Sequence, residues 1–173
     1  IDGAYDFDAE FFGYSPQESR LIDPQHRVFL ESAFTALEDA AYDPSRRGRS
    51  VGVFAGSEGP YHWIEEIGRR GAPQSPTEIQ VGVANIADNL TARVAYKLGL
   101  EGPAVTVLAA CATSLVAVHV ACRSLRDGEC DLALHRRAAV EGGQEAPAPN
   151  CAECRGIDRG MARTSRELCE RHG

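Results

Sequence analysis

Cys111 is the side chain of this protein best placed to do chemistry. It follows the apolar run 104–109 and precedes the mostly apolar run 113–125, a pattern that predicts a buried strand, a turn and a helix. A thiol at a helix N-terminus faces unpaired backbone N–H groups and the positive end of the helix dipole, which favour the thiolate. Cys111 is therefore a candidate nucleophile. The alternative is a small buried apolar side chain, as free cysteines often are.

Four residues near the end of the chain have the spacing of zinc ligands. They are Cys151 and Cys154, then Cys169 and His172, with two residues inside each pair. Three thiolates and an imidazole suit a small structural zinc module, which could order a segment poor in apolar residues. However, residues 135–173 contain no aromatic side chain to support such a module. We therefore favour a coincidental spacing, and predict no metal site and no bound cofactor.

The elements that must position Cys111 are short strands alternating with helices. The predicted strands are the apolar runs 51–55, 104–109 and 130–134. The predicted helices begin at Ser15-Pro16, run from Asp23-Pro24 to Asp43-Pro44, and cover 62–67, 89–98 and 113–125. Strand 104–109 is expected to be covered on both faces and helix 113–125 to be central, because both are mostly apolar. The alternation indicates α/β layers.

Several blocks of the chain resemble one family. The segment Val105-Thr-Val-Leu-Ala-Ala-Cys111-Ala-Thr-Ser-Leu-Val-Ala-Val-His119 is similar to the active-site segment of β-ketoacyl synthases, the condensing domains of polyketide and fatty-acid synthases. Further blocks resemble the family in the family's order: Asp6-Phe-Asp-Ala-Glu-Phe-Phe-Gly-Tyr-Ser-Pro16, Asp23-Pro-Gln-His-Arg27, Leu30-Glu-Ser-Ala-Phe-Thr-Ala-Leu-Glu-Asp39, Val51-Gly-Val-Phe-Ala-Gly56 and Arg93-Val-Ala-Tyr-Lys-Leu-Gly-Leu100. The Asp-Pro-Gln-x-Arg block is most similar to modular type I polyketide synthases.

The resemblance implies a fold and an activity. The fold is thiolase-like, with residues 1–134 forming its N-terminal half. Residues 135–173 are then an irregular tail without family resemblance, disordered or translated from a shifted reading frame. Cys111 is the implied acceptor of an acyl group from the phosphopantetheine arm of an acyl carrier protein, and its backbone N–H helps to hold the oxyanion. A decarboxylated malonyl-type thioester then condenses with that acyl group. The implied assembly is a homodimer through the strand before Cys111.

The histidines of the chain do not complete this chemistry. The family uses two histidines from the second half of its domain, and this sequence has nothing similar to those segments. His119 lies eight residues beyond Cys111, roughly 12 Å along a helix, so we expect it to be a core or supporting histidine. His26 is expected to cap or pack, and His62 to be solvated. We predict that the chain alone is inactive in condensation. The alternative is a non-catalytic remnant that serves as a dimerisation or interaction piece.

Four places depart from the family pattern. Leu108 stands where the family has an acidic or amide residue, Ala109 where it has Thr, and Ala112 where it has Ser. After residue 134, His135-Arg136-Arg137 replaces two glycines. The changes at 109 and 112 exchange one small residue for another and are expected to be mild. Leu108 removes a polar group close to Cys111, so the tuning of the site or of the interface is expected to differ there.

Composition narrows the functional classes. The 173 residues suit one domain, and a net charge of −7 argues against nucleic-acid binding. No apolar run approaches the roughly 20 residues that a membrane helix needs, and the acidic start of the chain lacks a signal-peptide pattern. Six cysteines without such a signal are expected to be free thiols in a reducing cytoplasm.

Overall fold

The computed structural model describes residues 6–43, 48–70, 78–138 and 162–164. The helices of this part are α1 (Pro16–Leu21), α2 (Pro24–Asp39), α3 (Tyr61–Arg70), α4 (Glu78–Asn85), α5 (Asn89–Leu98) and α6 (Thr113–Arg126). The strands are β1 (Val51–Ser57), β2 (Ala104–Thr106), β3 (Leu132–Ala138) and β4 (Ala162–Thr164). A 3-10 turn, Ala110–Ala112, joins the segment after β2 to α6.

The strands form a sheet in the order β2-β1-β3-β4. β1 runs parallel to both neighbours, with Val53 beside Ala104 and Leu134, and β4 pairs antiparallel with β3. β1 is buried from Val51 to Gly56. Strands covered on both faces read as continuous apolar runs, which is why 51–55 is recognisable in the sequence. The predicted α/β layering is confirmed.

Alternate side chains of β1 pack into two different hydrophobic cores, because successive residues of a strand point to opposite faces of the sheet. Val51, Val53 and Ala55 pack with the apolar residues of α2 and α5. Phe54 packs on the other face with Ala117 and Ala121 of α6. The sheet therefore lies between α2 and α5 on one side and α6 on the other.

Local signals set the starts of the first helices. Ser15 Oγ accepts from the Glu18 N–H at 3.1 Å, and Glu18 Oε2 accepts from the Ser15 N–H at 2.9 Å, which completes the predicted capping box. These hydrogen bonds hold the pKa of Glu18 below its usual value. Asp23 caps α2 through the Gln25 N–H at 2.7 Å. Gly99, in the left-handed conformation, ends α5 as predicted.

Several element limits differ from the predictions. α2 ends at Asp39 rather than near Asp43-Pro44, because Ala41 turns to φ 51° and the Tyr42 N–H bonds back to Leu37 O at 2.9 Å. α3 is longer than the predicted 62–67, and α4 is a helix that no pattern predicted. β3 begins two residues after position 130 and runs four residues beyond 134.

The environment of β2 and α6 also differs from expectation. β2 has three residues instead of six and lies at an end of the sheet, so it is only partly covered. α6 is not central, because its small residues face the sheet while Leu115 is 76% exposed.

In the described ranges, no helix has the length and apolar character needed to cross a bilayer. The cytoplasmic location stays a prediction.

Candidate active site around Cys111

Cys111 is exposed at a sharp turn between β2 and α6. The residue before it, Ala110, has φ 46°, a left-handed conformation that costs a residue with a Cβ about 1–3 kcal/mol. Such a cost persists only where the surroundings impose it, and outliers of this kind cluster at functional sites. The alternative of a small buried side chain is therefore wrong for Cys111, and the thiol is open to reagents.

Hydrogen bonds impose this turn from both ends. At its start, the Val107 N–H donates to Ala55 O at 2.8 Å and ties the segment to β1. The Ala109 N–H donates to the Thr113 hydroxyl at 3.0 Å, and the Ala112 N–H donates to Ala109 O at 3.0 Å. Neither of the bonds within the turn uses the N–H of Cys111. That N–H lies in the 3-10 turn that leads into the start of α6, where the helix dipole favours negative charge.

Gly56 allows the turn to approach the end of β1. A Cβ built at Gly56 would fall well inside van der Waals distance of the Val107 carbonyl and of Thr113 Cγ2. Because the first of these is backbone, it cannot move aside as a flexible side chain would. Glycine is thus required here for packing, although its φ is ordinary.

A cavity of about 300 Å³ opens beside the thiol. One wall is the end of β1 and the loop after it, and the other is the turn that carries Cys111. The lining residues are Gly56, Ser57, Glu58, Gly59, Leu108, Ala110, Cys111 and Thr113. The Ser57 hydroxyl is buried and has no hydrogen-bond partner among the described residues. The cavity is large enough for a short acyl group and offers few polar contacts.

Among the described residues that line this cavity there is no histidine. His119 is exposed on α6, so the expectation of a core or supporting histidine is wrong; it sits on the side of α6 that faces away from the sheet. His62 is exposed, as predicted, and lies on α3. His26 packs in the interior, where burial, reinforced by the charge of Arg93, lowers its pKa to about 4.

The other cysteines have different surroundings. Cys122 is half-buried and Cys130 is buried. Burial raises the pKa of the Cys130 thiol, which disfavours the thiolate. The zinc-like set Cys151, Cys154, Cys169 and His172 lies outside the described residues. Within the described part, no three potential ligands come together as a metal site.

The sequence analysis missed a buried polar cluster at the start of α2. Asp23, Gln25 and Asn85 are all buried. The Asp23 N–H donates to Asn85 Oδ1 at 2.7 Å, and Asn85 Nδ2 donates to Leu21 O and Val81 O, each at 2.8 Å. Burial raises the pKa of Asp23 despite the hydrogen bonds from Gln25. The one sequence signal for this cluster is the Asp-Pro-Gln-His-Arg block itself.

The protein has the predicted thiolase-like fold, with three parallel strands and a cysteine on a strained strand-to-helix turn. The chain belongs to the β-ketoacyl synthase family: the sequence model of the N-terminal domain of β-ketoacyl synthase matches residues 1–142.

Named relatives come from polyketide synthases. The chain is 52% identical over 135 residues to the pikromycin polyketide synthase component PikAII of Streptomyces venezuelae, covering 78% of this chain and 4% of that protein. It is 46% identical over 146 residues to the erythronolide synthase EryA3 of Saccharopolyspora erythraea, covering 84% of this chain and 4% of that protein. The chain thus spans a small part of each relative.

A solved structure agrees with this placement. Ketosynthase twelve of the bacillaene polyketide synthase of Bacillus amyloliquefaciens superposes with a TM-score of 0.70 at 29% identity. The superposition covers 84% of this chain and 25% of that ketosynthase.

Proposed function

We propose that this chain contributes the acyl-accepting part of a polyketide synthase ketosynthase, a condensing acyltransferase. The observation that carries the proposal is the exposed Cys111 on its strained turn, at the mouth of a cavity of acyl size. The family places an acyl-accepting cysteine in the segment to which residues 105–119 are similar. Geometry and resemblance therefore select the same residue.

The first step is acyl transfer. The Cys111 thiolate attacks the carbonyl carbon of an acyl thioester carried on the phosphopantetheine arm of an acyl carrier protein. The carbonyl oxygen becomes an oxyanion, which the backbone N–H of Cys111 at the start of α6 can stabilise. When the tetrahedral intermediate collapses, the carbon–sulfur bond to the arm breaks. The acyl group stays on Cys111, and the departing thiolate takes up a proton.

The second step is decarboxylative Claisen condensation. A malonyl-type thioester loses CO2, and the electron pair of the broken carbon–carbon bond attacks the acyl carbonyl on Cys111. The Cys111 thiolate leaves, and a β-ketoacyl thioester remains on the carrier protein. In the family two histidines assist this step. The described histidines lie outside the Cys111 cavity, so we propose that this chain alone stops after acyl transfer.

The carrier protein and a second copy of the chain are the proposed partners. β2 ends the described sheet, so one of its edges has no strand partner among the described strands. Leu108, just beyond β2, is exposed, as is Leu115 on α6. A strand edge beside exposed apolar side chains supports a homodimer through this strand.

A non-catalytic interaction piece is the second candidate. It is favoured by the same exposed apolar side chains of α6, which suit a partner surface whether or not Cys111 reacts. Acylation of Cys111 separates the two candidates, because an interaction piece has no need of a reactive thiol.

The test is mass spectrometry of the reduced chain after incubation with the propionyl thioester of N-acetylcysteamine, a mimic of the phosphopantetheine arm. We expect one propionyl adduct on the wild type and on Cys122→Ala, and none on Cys111→Ala. An unmodified wild type, or an adduct that persists in Cys111→Ala, would contradict the proposal. With malonyl thioester and carrier protein added, we expect no β-ketoacyl product from this chain.

A further inference from the structure

Gln25 connects the start of α2 to the wall of the Cys111 cavity. Its side chain is buried, and its Oε1 accepts a hydrogen bond from the Glu58 N–H at 3.3 Å. Its Nε2 donates to Asp23 Oδ2 at 3.5 Å. Glu58 belongs to the loop after β1 that lines the cavity. One buried amide therefore spans from the helix start to the loop that faces the reactive thiol.

The platform that holds Gln25 is fixed by a chain of buried hydrogen bonds. The Gln25 N–H donates to Asp23 Oδ1, and the Asp23 N–H donates to Asn85 Oδ1, both at 2.7 Å. Asn85 is in turn bonded to Leu21 and Val81. Buried polar groups that exchange hydrogen bonds in a network are held rigidly, since breaking one leaves a desolvated group unpaired. Gln25 thus has a defined position.

The far end of the same loop is held to the same platform. The indole N–H of Trp63, in the first turns of α3, donates to Leu21 O at 3.1 Å. The Arg27 guanidinium lies 5.3 Å from the centre of the Trp63 ring. The loop between β1 and α3 is therefore attached to the residues around the α1–α2 junction at two points, one at Glu58 and one at Trp63.

The two walls of the cavity depend on different contacts. The wall that carries Cys111 is held by Val107, Thr113 and the close approach of Gly56. The Glu58 wall is held instead by the hydrogen bond that the Glu58 N–H donates to Gln25 Oε1. A change at Gln25 should therefore alter the shape of the cavity without altering the thiol.

We propose that Gln25 is a positioning residue, which sets the distance between the Glu58 wall and the Cys111 turn and so tunes binding of the acyl group. The part of this inference that concerns acyl binding rests on the proposed function. It concerns a residue of the Asp-Pro-Gln block that touches neither the acyl group nor the thiol.

The kinetic test is the Gln25→Ala variant with propionyl-N-acetylcysteamine as the probe. We expect the concentration for half-maximal acylation of Cys111 to rise about tenfold, since one hydrogen bond that shapes the cavity is lost. The maximal rate, and alkylation of Cys111 by iodoacetamide, should stay within about twofold, because the thiol keeps its own supports. Gln17→Ala, at an exposed glutamine of α1, is the matched control and should leave every parameter unchanged.

Partial rescue distinguishes positioning from a general loss of structure. Gln25→Glu keeps an acceptor for the Glu58 N–H but places a second carboxyl beside Asp23. We expect its defect to shrink as the pH falls from about 8 to about 6, because one of the two carboxyls takes up a proton and can donate to the other. The Gln25→Ala defect should not change with pH in this way. A proportional loss of acylation and alkylation in Gln25→Ala would overturn the inference.

Hydrogen exchange tests the connection without reference to acylation. In Gln25→Ala we expect the amides of residues 57–59 to exchange about tenfold faster, while those of α5 stay as in the wild type. Unchanged exchange at 57–59 would overturn the positioning role even if acylation were altered. If the wild type takes no acyl group but the exchange result holds, the proposed function fails and the structural role of Gln25 stands.

Discussion

The two sides of the sheet differ in the size of the side chains that they bury. On the α2 and α5 side, large side chains such as Phe29, Leu30 and Leu90 are almost completely buried. On the α6 side, the helix contacts the sheet mainly through Ala117 and Ala121. Small residues bring α6 close to the sheet but bury little area, and burial contributes roughly 25 cal/mol per Å². The first side is the scaffold, and the second side presents the thiol and an apolar surface.

This difference means that the site rests on a well-packed support. Cys111 lies on the sparsely buried side, yet β1 runs through both cores and carries Gly56 and the cavity wall at its end. The packing of β1 against the scaffold side therefore supports the cavity wall at its end. Substitutions on the two sides should have unequal effects.

The largest expected effect is on the scaffold side. Phe29→Ala removes a side chain that is 1% exposed and should lower the free energy of unfolding by about 3–5 kcal/mol. Leu115→Ala, on the outer side of α6, should change it by less than about 0.5 kcal/mol. Chemical denaturation followed by circular dichroism measures both. Equal losses would show that the two sides are packed alike and would remove the basis of the comparison.

The pH dependence of stability sharpens the same contrast, because His26 lies on the scaffold side. Burial lowers its pKa to about 4, so between pH 6.5 and about 4 the unfolded chain binds a proton that the folded chain does not. Stability should therefore fall by about 3 kcal/mol as the pH falls through this window. Above it, the contribution of His26 should be constant.

The control for this effect is His26→Met, which removes the titrating group. Asp23 and Glu31 have pKa values raised by burial, and they act in the opposite direction as the pH falls. The wild type minus His26→Met difference isolates the histidine, since both proteins keep these carboxyls. A difference that is flat between pH 7 and pH 4 would show that His26 is not buried as a neutral group.

Gly56→Ala tests the close contact between the end of β1 and the Cys111 turn. The new Cβ would press on the Val107 carbonyl, so we expect a loss of about 1–3 kcal/mol and slower acylation of Cys111 as the turn moves. Gly68→Ala in α3 is the matched control, because a Cβ there meets nothing within 4 Å. It should be neutral or stabilise the helix by up to about 1 kcal/mol. Similar results for both glycines would contradict the close-approach argument.

The features that could be predicted are those set by residues close together in the sequence. The capping box of Ser15 and Glu18 and the cap at Gly99 are of this kind, so short sequence patterns predict them. α4 was missed because its sequence contains Ile, two Val and a glycine, which do not favour a helix. It is fixed instead by Asn85, which bonds to residues more than 60 positions away in the chain.

The features of the site also divide into those that the sequence could predict and those that it could not. The strand–cysteine–helix pattern made Cys111 a candidate, and the resemblance to the β-ketoacyl synthases singled it out. The left-handed Ala110 could not, because nothing in an alanine signals a positive φ. Nor could the exposure of His119 and Leu115, since an apolar helix pattern does not tell which side of the helix meets the sheet. Tertiary contacts decide those features.

The smallest predicted effect concerns Thr113, whose hydroxyl accepts from the Ala109 N–H at 3.0 Å. Thr113→Val keeps the shape that packs against Gly56 but removes the acceptor, so stability should fall by about 1 kcal/mol. Thr113→Ser keeps the acceptor and loses the methyl group. If the hydrogen bond holds the turn, acylation of Cys111 should be slowed severalfold in Thr113→Val and much less in Thr113→Ser. The reverse order would mean that methyl packing, not the hydroxyl, keeps Cys111 in place. The turn would then owe its position to packing against the end of β1.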